Sequence, residues 1–363
     1  MTTRDLPAGL GPAVDEWVED LGATTRSGKG TRSALFEAVY TAFGGADPEL
    51  RAATGQALEL LHEAFLVHDD LADDDDQRRG ALNLQGRTRA RLASRGADPE
   101  TVRHVGMVGG LLGGDILLVS AMSGFARLPV PARVLHRVLD EVERAVVASI
   151  AGEYADVNDS TDTRPPARDR ALAIGRAKTA AYTVILPLVL GAILAGAAEG
   201  TIESLREAGA HLGTAYQVID DLLGVFGDPA VTGKSNTNDL IRRAPTILLA
   251  YAATTETWPA IDAALGVPGD RGPGDSGHDD PGPGETDPDD GGPGGSATWY
   301  DGVGPDPDTA RELLRMCGAR DYALRAARDL VAAARAALDS PAVPTAVAAA
   351  LVPHLETALE RTR

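Results

Sequence analysis

Apolar side chains recur at spacings of three and four through most of the chain. The pattern runs through residues 33–43, 50–71, 99–123, 131–157, 167–198, 202–226, 246–265, 307–338 and 343–362. That period collects apolar groups on one helix face, so each stretch predicts an amphipathic or buried helix. Alanine and leucine, both strong helix formers, dominate these runs, and proline clusters at 129–131 and 164–166 fall between them. Alternating β-branched runs and Asn-Gly turns are missing, which leaves no hairpin or strand signal. The expected fold class is all-α: a single large helical bundle of about ten helices around a central cavity.

Two runs have the length and composition of a membrane span. Residues 179–198 are nearly uncharged, but Pro187 and Gly191 interrupt them and Lys178 stands immediately before; residues 105–126 carry Asp115 in their middle. A helix apolar on all sides also suits the centre of a large bundle, and that is the expected place for both.

Composition adds limits. The 363 residues are 44% apolar, enough for one sizeable core, with 34 basic against 53 acidic side chains and a formal charge of −19. Such a balance repels a phosphate backbone and argues against nucleic-acid binding. The acid is unevenly spread. Residues 266–298 hold eleven glycines, six prolines, seven aspartates and a glutamate against one arginine, so this stretch alone carries −7. With almost nothing apolar to offset the entropy of ordering, it reads as a disordered acidic insertion. The expected organisation is an N-terminal segment at 1–27 and a helical domain at 28–363 interrupted by that insertion. A lone cysteine, Cys317, excludes an internal disulfide or a multi-thiolate metal site and suits a reducing cytoplasm; no signal-like apolar run opens the sequence.

The chemistry concentrates in two segments. In the first, His62 precedes Asp69-Asp70-Leu-Ala-Asp73 and then Arg78-Arg79-Gly80. On a helix, carboxylates three and four residues apart share a face and repel, so a counter-cation is expected. Oxygen ligands without histidine or cysteine nearby favour Mg²⁺, and the paired arginines suit phosphate oxygens. In the second, Gln217-Val-Ile-Asp220-Asp221 ends another apolar helix and is followed by a glycine-punctuated turn carrying Lys234. Two acidic helix ends facing across a bundle cavity would hold divalent ions with a polyphosphate bridging them.

These segments resemble the trans-isoprenyl diphosphate synthases, the polyprenyl synthetase family, in their bacterial geranylgeranyl and farnesyl forms. Asp69, Asp70 and Asp73 with Arg78 and Arg79 resemble its first aspartate-rich motif, and Gln217 to Lys234 its second. Gly28-Lys29-Gly-Thr-Arg32 is similar to the N-terminal signature that grips isopentenyl diphosphate, a grip His62 would complete. Gly152-Glu153-Tyr-Ala-Asp156 is similar to Gly-Gln-x-x-Asp, and Lys178-Thr179 to the Lys-Thr pair that contacts the allylic diphosphate.

The resemblance implies an isoprenoid-synthase-type bundle acting as a cytoplasmic homodimer without a membrane span. Its reaction would be the magnesium-dependent condensation of isopentenyl diphosphate with an allylic diphosphate. The implied metal ligands are Asp69, Asp73 and Asp220, holding three Mg²⁺ per site, with Asp70, Asp221 and Lys178 completing the catalytic set. The implied substrate-binding residues are Lys29, Arg32, His62, Arg78, Arg79, Lys178, Thr179, Gln217 and Lys234. Ala64 and Phe65, the fifth and fourth residues before Asp69, would form the floor that limits chain length. An alanine beside a phenylalanine there favours a C20 product, geranylgeranyl diphosphate.

Five positions depart from the family pattern. Gly224 replaces the last aspartate of the second motif, Gly30 and Ser33 replace an arginine and a proline, and Glu153 replaces a glutamine. Ala244 stands where a lysine is usual, with Arg242 or Arg243 available to replace the missing cation. Ala244 and Gly224 are the features that would suit a non-catalytic partner subunit. A class I terpene cyclase, the other alternative, usually carries Asn-Asp-x-x-Ser-x-x-x-Glu, and Asn238-Asp239 lacks the serine and glutamate.

Overall fold

The computed structural model describes residues 10–24, 30–78, 80–228, 236–266 and 305–360. Lys29, Arg79, Lys234 and residues 267–304, which take in all but the first residue of the expected insertion at 266–298, lie outside them. The described residues form a helical bundle, as expected, with one two-stranded hairpin.

The chain order is α1 (Pro12–Thr24), α2 (Thr31–Ala42), α3 (Pro48–Ala72), β1 (Gln77–Arg78), β2 (Ala81–Leu82), α4 (Leu84–Ser94), α5 (Pro99–Ala126), α6 (Ala132–Asp159) and α7 (Arg168–Gly175). A π-helical segment (Arg176–Ile185) leads directly into α8 (Leu186–Leu194), followed by α9 (Glu199–Phe226), α10 (Asn238–Ile241), α11 (Ile247–Ala252) and α12 (Trp258–Leu265). The last helices are α13 (Pro307–Met316), α14 (Ala319–Leu338) and α15 (Thr345–Glu360).

Local chemistry accounts for many of these boundaries. Asp47 accepts from the backbone of Glu49 and Leu50 to start α3, with Pro48 in the first turn, where its missing N–H costs nothing. Asp98 caps α5 in the same manner, accepting from Thr101 N–H at 2.9 Å. The run at 307–338 is two helices rather than one because Gly318, at φ +85°, turns the chain between them. Residues 246–265 likewise divide at a turn after Ala252, where Thr254 and Thr255 hydroxyls back-bond to carbonyls of the preceding helix.

Two helices were not legible from apolar spacing. Helix α1 buries only Val18 and Leu21, while Trp17 anchors it by donating from Nε1 to the Gly109 carbonyl at 3.0 Å. Helix α4 is arginine-rich and is tied to α1 by Arg91–Asp20 and by Arg95–Glu16 at 2.8 Å. The hairpin was not expected either. Its two residues per strand pair Gln77 with Leu82 and Arg78 with Ala81, around a turn with Gly80 at φ +74°.

Helix α8 lies in the middle of the core, with every residue from Leu186 to Ile193 buried. This explains the uncharged run at 179–198 without a membrane. The widened π turns lie immediately before Pro187, which cannot donate to the carbonyl one turn back. Helix α5 does not meet the same expectation. Only about a third of its most apolar window is buried, and Val105, Met107, Leu111, Leu112 and Val119 are exposed. Its glycines serve close packing: side-chain atoms of Leu71, Leu84 and His68 fill the space where Cβ atoms at Gly110, Gly113 and Gly114 would sit.

The ends flanking residues 267–304 meet. The Asp306 N–H donates to the Ala264 carbonyl at 2.8 Å, and Pro305 lies 3.6 Å from the Cβ position of Gly266. The helices on either side are therefore already joined by their own contacts. Replacing 267–304 with a short Gly/Ser linker should leave the helical circular dichroism and the thermal midpoint unchanged within a few degrees, since loop-closure entropy varies slowly with length. A collapse of the melting transition would assign this stretch a structural role.

Candidate active site

Helix α3 ends in Asp69 and Asp70, with Asp73 as its C-cap residue. Carboxylates here are doubly disfavoured: they repel one another and sit at the negative end of the helix dipole. Three cations arrive from three other elements.

The hairpin folds Arg78 back onto the helix end, where Nε donates to Asp70 Oδ1 at 2.6 Å and Nη2 to Asp69 Oδ2 at 2.7 Å. The π helix supplies Lys178, whose Nζ lies 2.8 Å from Asp156, 3.1 Å from Glu153 and 3.4 Å from Asp69. Immediately after α10 comes Arg242, which pairs with Asp73. Burial works against the charge of Arg78 and of Arg242, but the adjoining carboxylates outweigh it and hold both pKa values above the ordinary arginine range. The same balance raises Lys178 well above its usual value, through Asp69, Asp156 and Glu153.

The close approach of Lys178 depends on Gly152. A Cβ at that position would stand 2.2 Å from the Lys178 backbone nitrogen, so only glycine lets α6 lie against the π segment. Glu153 and Asp156, on the same helix, then face the lysine. Burial raises the Glu153 pKa; the Lys178 charge opposes this, and Asp69 and Asp156 reinforce it.

The second acidic segment lies near the end of α9. Gln217 donates from Nε2 to Asp221 at 2.7 Å, and its side-chain carbonyl accepts from the Thr179 hydroxyl, which links the two motifs. Asp221 is pushed well above the usual carboxylate pKa by burial; the Gln217 hydrogen bond opposes the shift, and the charges of Asp239, Asp156 and Asp220 add to it. Asp220 is exposed.

Among the described residues, Asp69, Asp73 and Glu153 form a tight acidic group, each offering an oxygen within 4.8 Å of the others. The tight acidic group thus takes Glu153 where the sequence reading placed Asp220. An all-oxygen donor set with partial cationic neutralisation fits a hard divalent ion such as Mg²⁺.

Two sequence departures acquire a spatial meaning. At Gly224 an added Cβ would lie 2.1 Å from Asp239 Oδ2, so the Asp239 carboxylate occupies the space beside the position that lacks its aspartate. Arg242 and Arg243 separate completely. Arg242 serves Asp73, whereas Arg243, at φ +53°, turns away to Asp262 and to the Gly266 carbonyl at 2.7 Å. The other aspartates of the 73–76 run have structural partners: Arg89 holds Asp74 and Asp76, each at 2.8 Å, and Asn238 donates to Asp75 at 2.9 Å.

His62, about two turns before Asp69 on α3, and Arg32 on α2 both lie against Tyr182 of the π segment, and Arg32 also donates to the Thr183 hydroxyl at 3.0 Å. Arg32 Nε is buried without a hydrogen-bond partner among the described residues, which leaves a donor for an anion. Phe65 meets the same tyrosine, but Ala64 does not share its surroundings: it packs fully buried among Leu21, Val67, Leu84 and Leu117. The expected floor pair is therefore divided between two apolar clusters. Sequence reasoning missed Tyr182, because a tyrosine in an apolar helix carries no spacing signal. It noted Arg242 only as one of two arginines.

Residues 15–266 match the polyprenyl synthetase family, and the chain belongs to it. It is 33% identical to a geranylgeranyl diphosphate synthase of Mycobacterium tuberculosis over 67% of this chain and 63% of that protein. It is also 33% identical to a (2E,6E)-farnesyl diphosphate synthase of Mycobacterium bovis over 64% of this chain and 59% of that one. These alignments span about three-fifths of the relatives' own length. Among solved structures, a geranylgeranyl pyrophosphate synthase from Corynebacterium glutamicum, complexed with isoprenyl diphosphate and magnesium, superposes with a TM-score of 0.80 at 28% identity, covering 98% of this chain and 93% of that one.

Carboxylates only partly neutralised by protein cations should bind divalent ions in the folded state. Millimolar Mg²⁺ is expected to raise the thermal midpoint by several degrees, and Asp73→Asn to remove most of that increment. An equal increment in both proteins would place the ion elsewhere.

Proposed function

We propose that the protein is a magnesium-dependent trans-prenyltransferase that joins isopentenyl diphosphate to an allylic diphosphate and releases pyrophosphate. One observation carries the reading: Asp69 is shared by Arg78 at 2.7 Å and Lys178 at 3.4 Å while contributing to the oxygen cluster with Asp73 and Glu153. Carboxylates for metal and cations for diphosphate thus meet at one point. Bound Mg²⁺ would offset the negative charge that develops on the departing pyrophosphate.

Lys178 and Arg78, held protonated by their surroundings, are placed to bind diphosphate oxygens of the allylic substrate. Arg242 offers a third cation in place of the lysine missing at Ala244. Arg32 and His62 lie apart from this group and suit the second diphosphate, that of isopentenyl diphosphate; Lys29 and Arg79 belong with them by family resemblance. In the reaction the allylic C1–O bond breaks, the isopentenyl double bond attacks C1, and a proton is lost to the departing pyrophosphate. No side chain is required as general base. The chain's part is to hold two anionic substrates in line and shield the cationic centre from water.

The proposed product is C20, geranylgeranyl diphosphate, one of several lengths named among relatives that also include farnesyl, geranylfarnesyl and heptaprenyl diphosphate synthases. The all-oxygen cluster favours Mg²⁺, with three ions in the complete site. Asp220 remains the proposed ligand from the second motif, joining once the substrate diphosphate bridges the two helix ends. The single cysteine, half-buried Cys317, suits a soluble cytoplasmic enzyme. A homodimer is the proposed assembly. Its support is the set of large apolar side chains left exposed on two long helices, Leu112 and Val119 on α5 and Val147 and Ile150 on α6.

Purified protein given Mg²⁺, isopentenyl diphosphate and farnesyl diphosphate should release pyrophosphate and form a longer prenyl diphosphate, and Asp69→Ala should lower turnover at least 100-fold with an unchanged helical spectrum. Absence of product from the parent protein would favour the partner-subunit reading, and a hydrocarbon formed from one prenyl diphosphate alone would indicate a cyclase. In sedimentation the parent should weigh twice its 37.6 kDa chain, and Leu112→Asp combined with Ile150→Asp should reduce it to one chain. A monomeric parent would refute the assembly.

A further inference from the structure

Tyr182 touches three residues that belong to different tasks. Its ring meets Phe65 edge-on, with centroids 4.7 Å apart and planes at 62°. The Arg32 guanidinium lies over the same ring, 5.1 Å from its centroid. The hydroxyl lies 3.5 Å from His62 Nδ1 and 3.5 Å from Arg32 Nη2.

The register between α3 and the π helix gives these contacts an order. Lys178 approaches Asp69, while Tyr182, four residues later, meets Phe65, four residues earlier. The two helices therefore pass in opposite directions, and the two pairs are successive rungs across the same gap. The first rung is charged and stands at the diphosphate end. The second is aromatic and stands one turn further from the aspartates. Ala64, packed on the other side of α3 among Leu21, Leu84 and Leu117, has no share in that gap.

Resting on the prenyltransferase reading, we propose that Tyr182 is a specificity-determining and positioning residue: its ring, against Phe65, stops the growing prenyl chain, and its hydroxyl aligns the Arg32–His62 grip on isopentenyl diphosphate. An edge-to-face pair is stiffer than an aliphatic contact because each ring fixes the tilt of the other. A cation over the same ring adds a further restraint. Substitution at Tyr182 thus has two separable effects. Loss of the ring opens the gap, while loss of the hydroxyl alone loosens the second substrate's site.

The test uses the full-length protein with Mg²⁺, isopentenyl diphosphate and farnesyl diphosphate, with dephosphorylated products sized by gas chromatography. Tyr182→Leu should shift the main product by at least one five-carbon unit. Phe65→Leu should give the same shift, and the double variant no more than either, because both remove one barrier. Tyr182→Phe should keep the parent's product length but raise the KM for isopentenyl diphosphate several-fold, by a larger factor than any fall in kcat. Circular dichroism of each variant separates these effects from misfolding, and Phe65→Leu carries the chain-length test if Tyr182→Leu does not fold. Unchanged product lengths in the folded variants, or a longer product from Tyr182→Phe, would overturn the inference while leaving the prenyltransferase reading intact. A parent protein that forms no prenyl product would overturn both.

Discussion

The structure is organised around an unfavourable arrangement of like charges. Asp69, Asp70 and Asp73 crowd the negative end of α3, where helix geometry places them on one face and the helix dipole adds to their repulsion. The relief comes from Arg78 on the hairpin, Lys178 on the π helix and Arg242 after α10, so elements distant in sequence must be brought to one place. Removing one partner from such a set leaves a charge without compensation, which costs far more than the net worth of the pair.

Backbone features that are otherwise costly serve that convergence. The hairpin, only two residues per strand, would not persist alone in water, yet it returns Arg78 to the helix end. The π segment changes the direction in which successive side chains point, so Lys178 reaches the carboxylates while Tyr182 reaches Phe65. Gly152 removes the side chain that would hold α6 away from Lys178. The site is therefore a property of backbone proximity as much as of the charged groups themselves.

Two of the departures from the family pattern are offset locally by neighbouring residues. Gly224 lacks a carboxylate, and Asp239 places one in the adjoining space. Ala244 lacks a cation, and Arg242 delivers one to Asp73 from two positions earlier. Both replacements come from or immediately after α10, a single short helix. This pattern fits a retained site better than a decaying one, since loss of function removes groups without supplying others in their place.

Much of this protein is written in local pattern. Helix type follows from apolar spacing over many turns, and the acidic motifs are visible because paired aspartates at the end of an apolar helix conflict with it. The turn after Asp47 and the break at Gly318 follow from side-chain and backbone chemistry that each residue carries alone. Other features depend on distances between segments far apart in the chain. Sequence spacing could not tell Arg242 from Arg243, because a single left-handed residue sends them to opposite sides. It could not separate Ala64 from Phe65 either: neighbours on a helix point about 100° apart, and which of them meets Tyr182 depends on where the π helix lies. The sequence by itself determined the helices and the charged groups, since those arise within a few turns. Only the tertiary structure decided which carboxylate meets which cation, because that depends on the packing of whole helices.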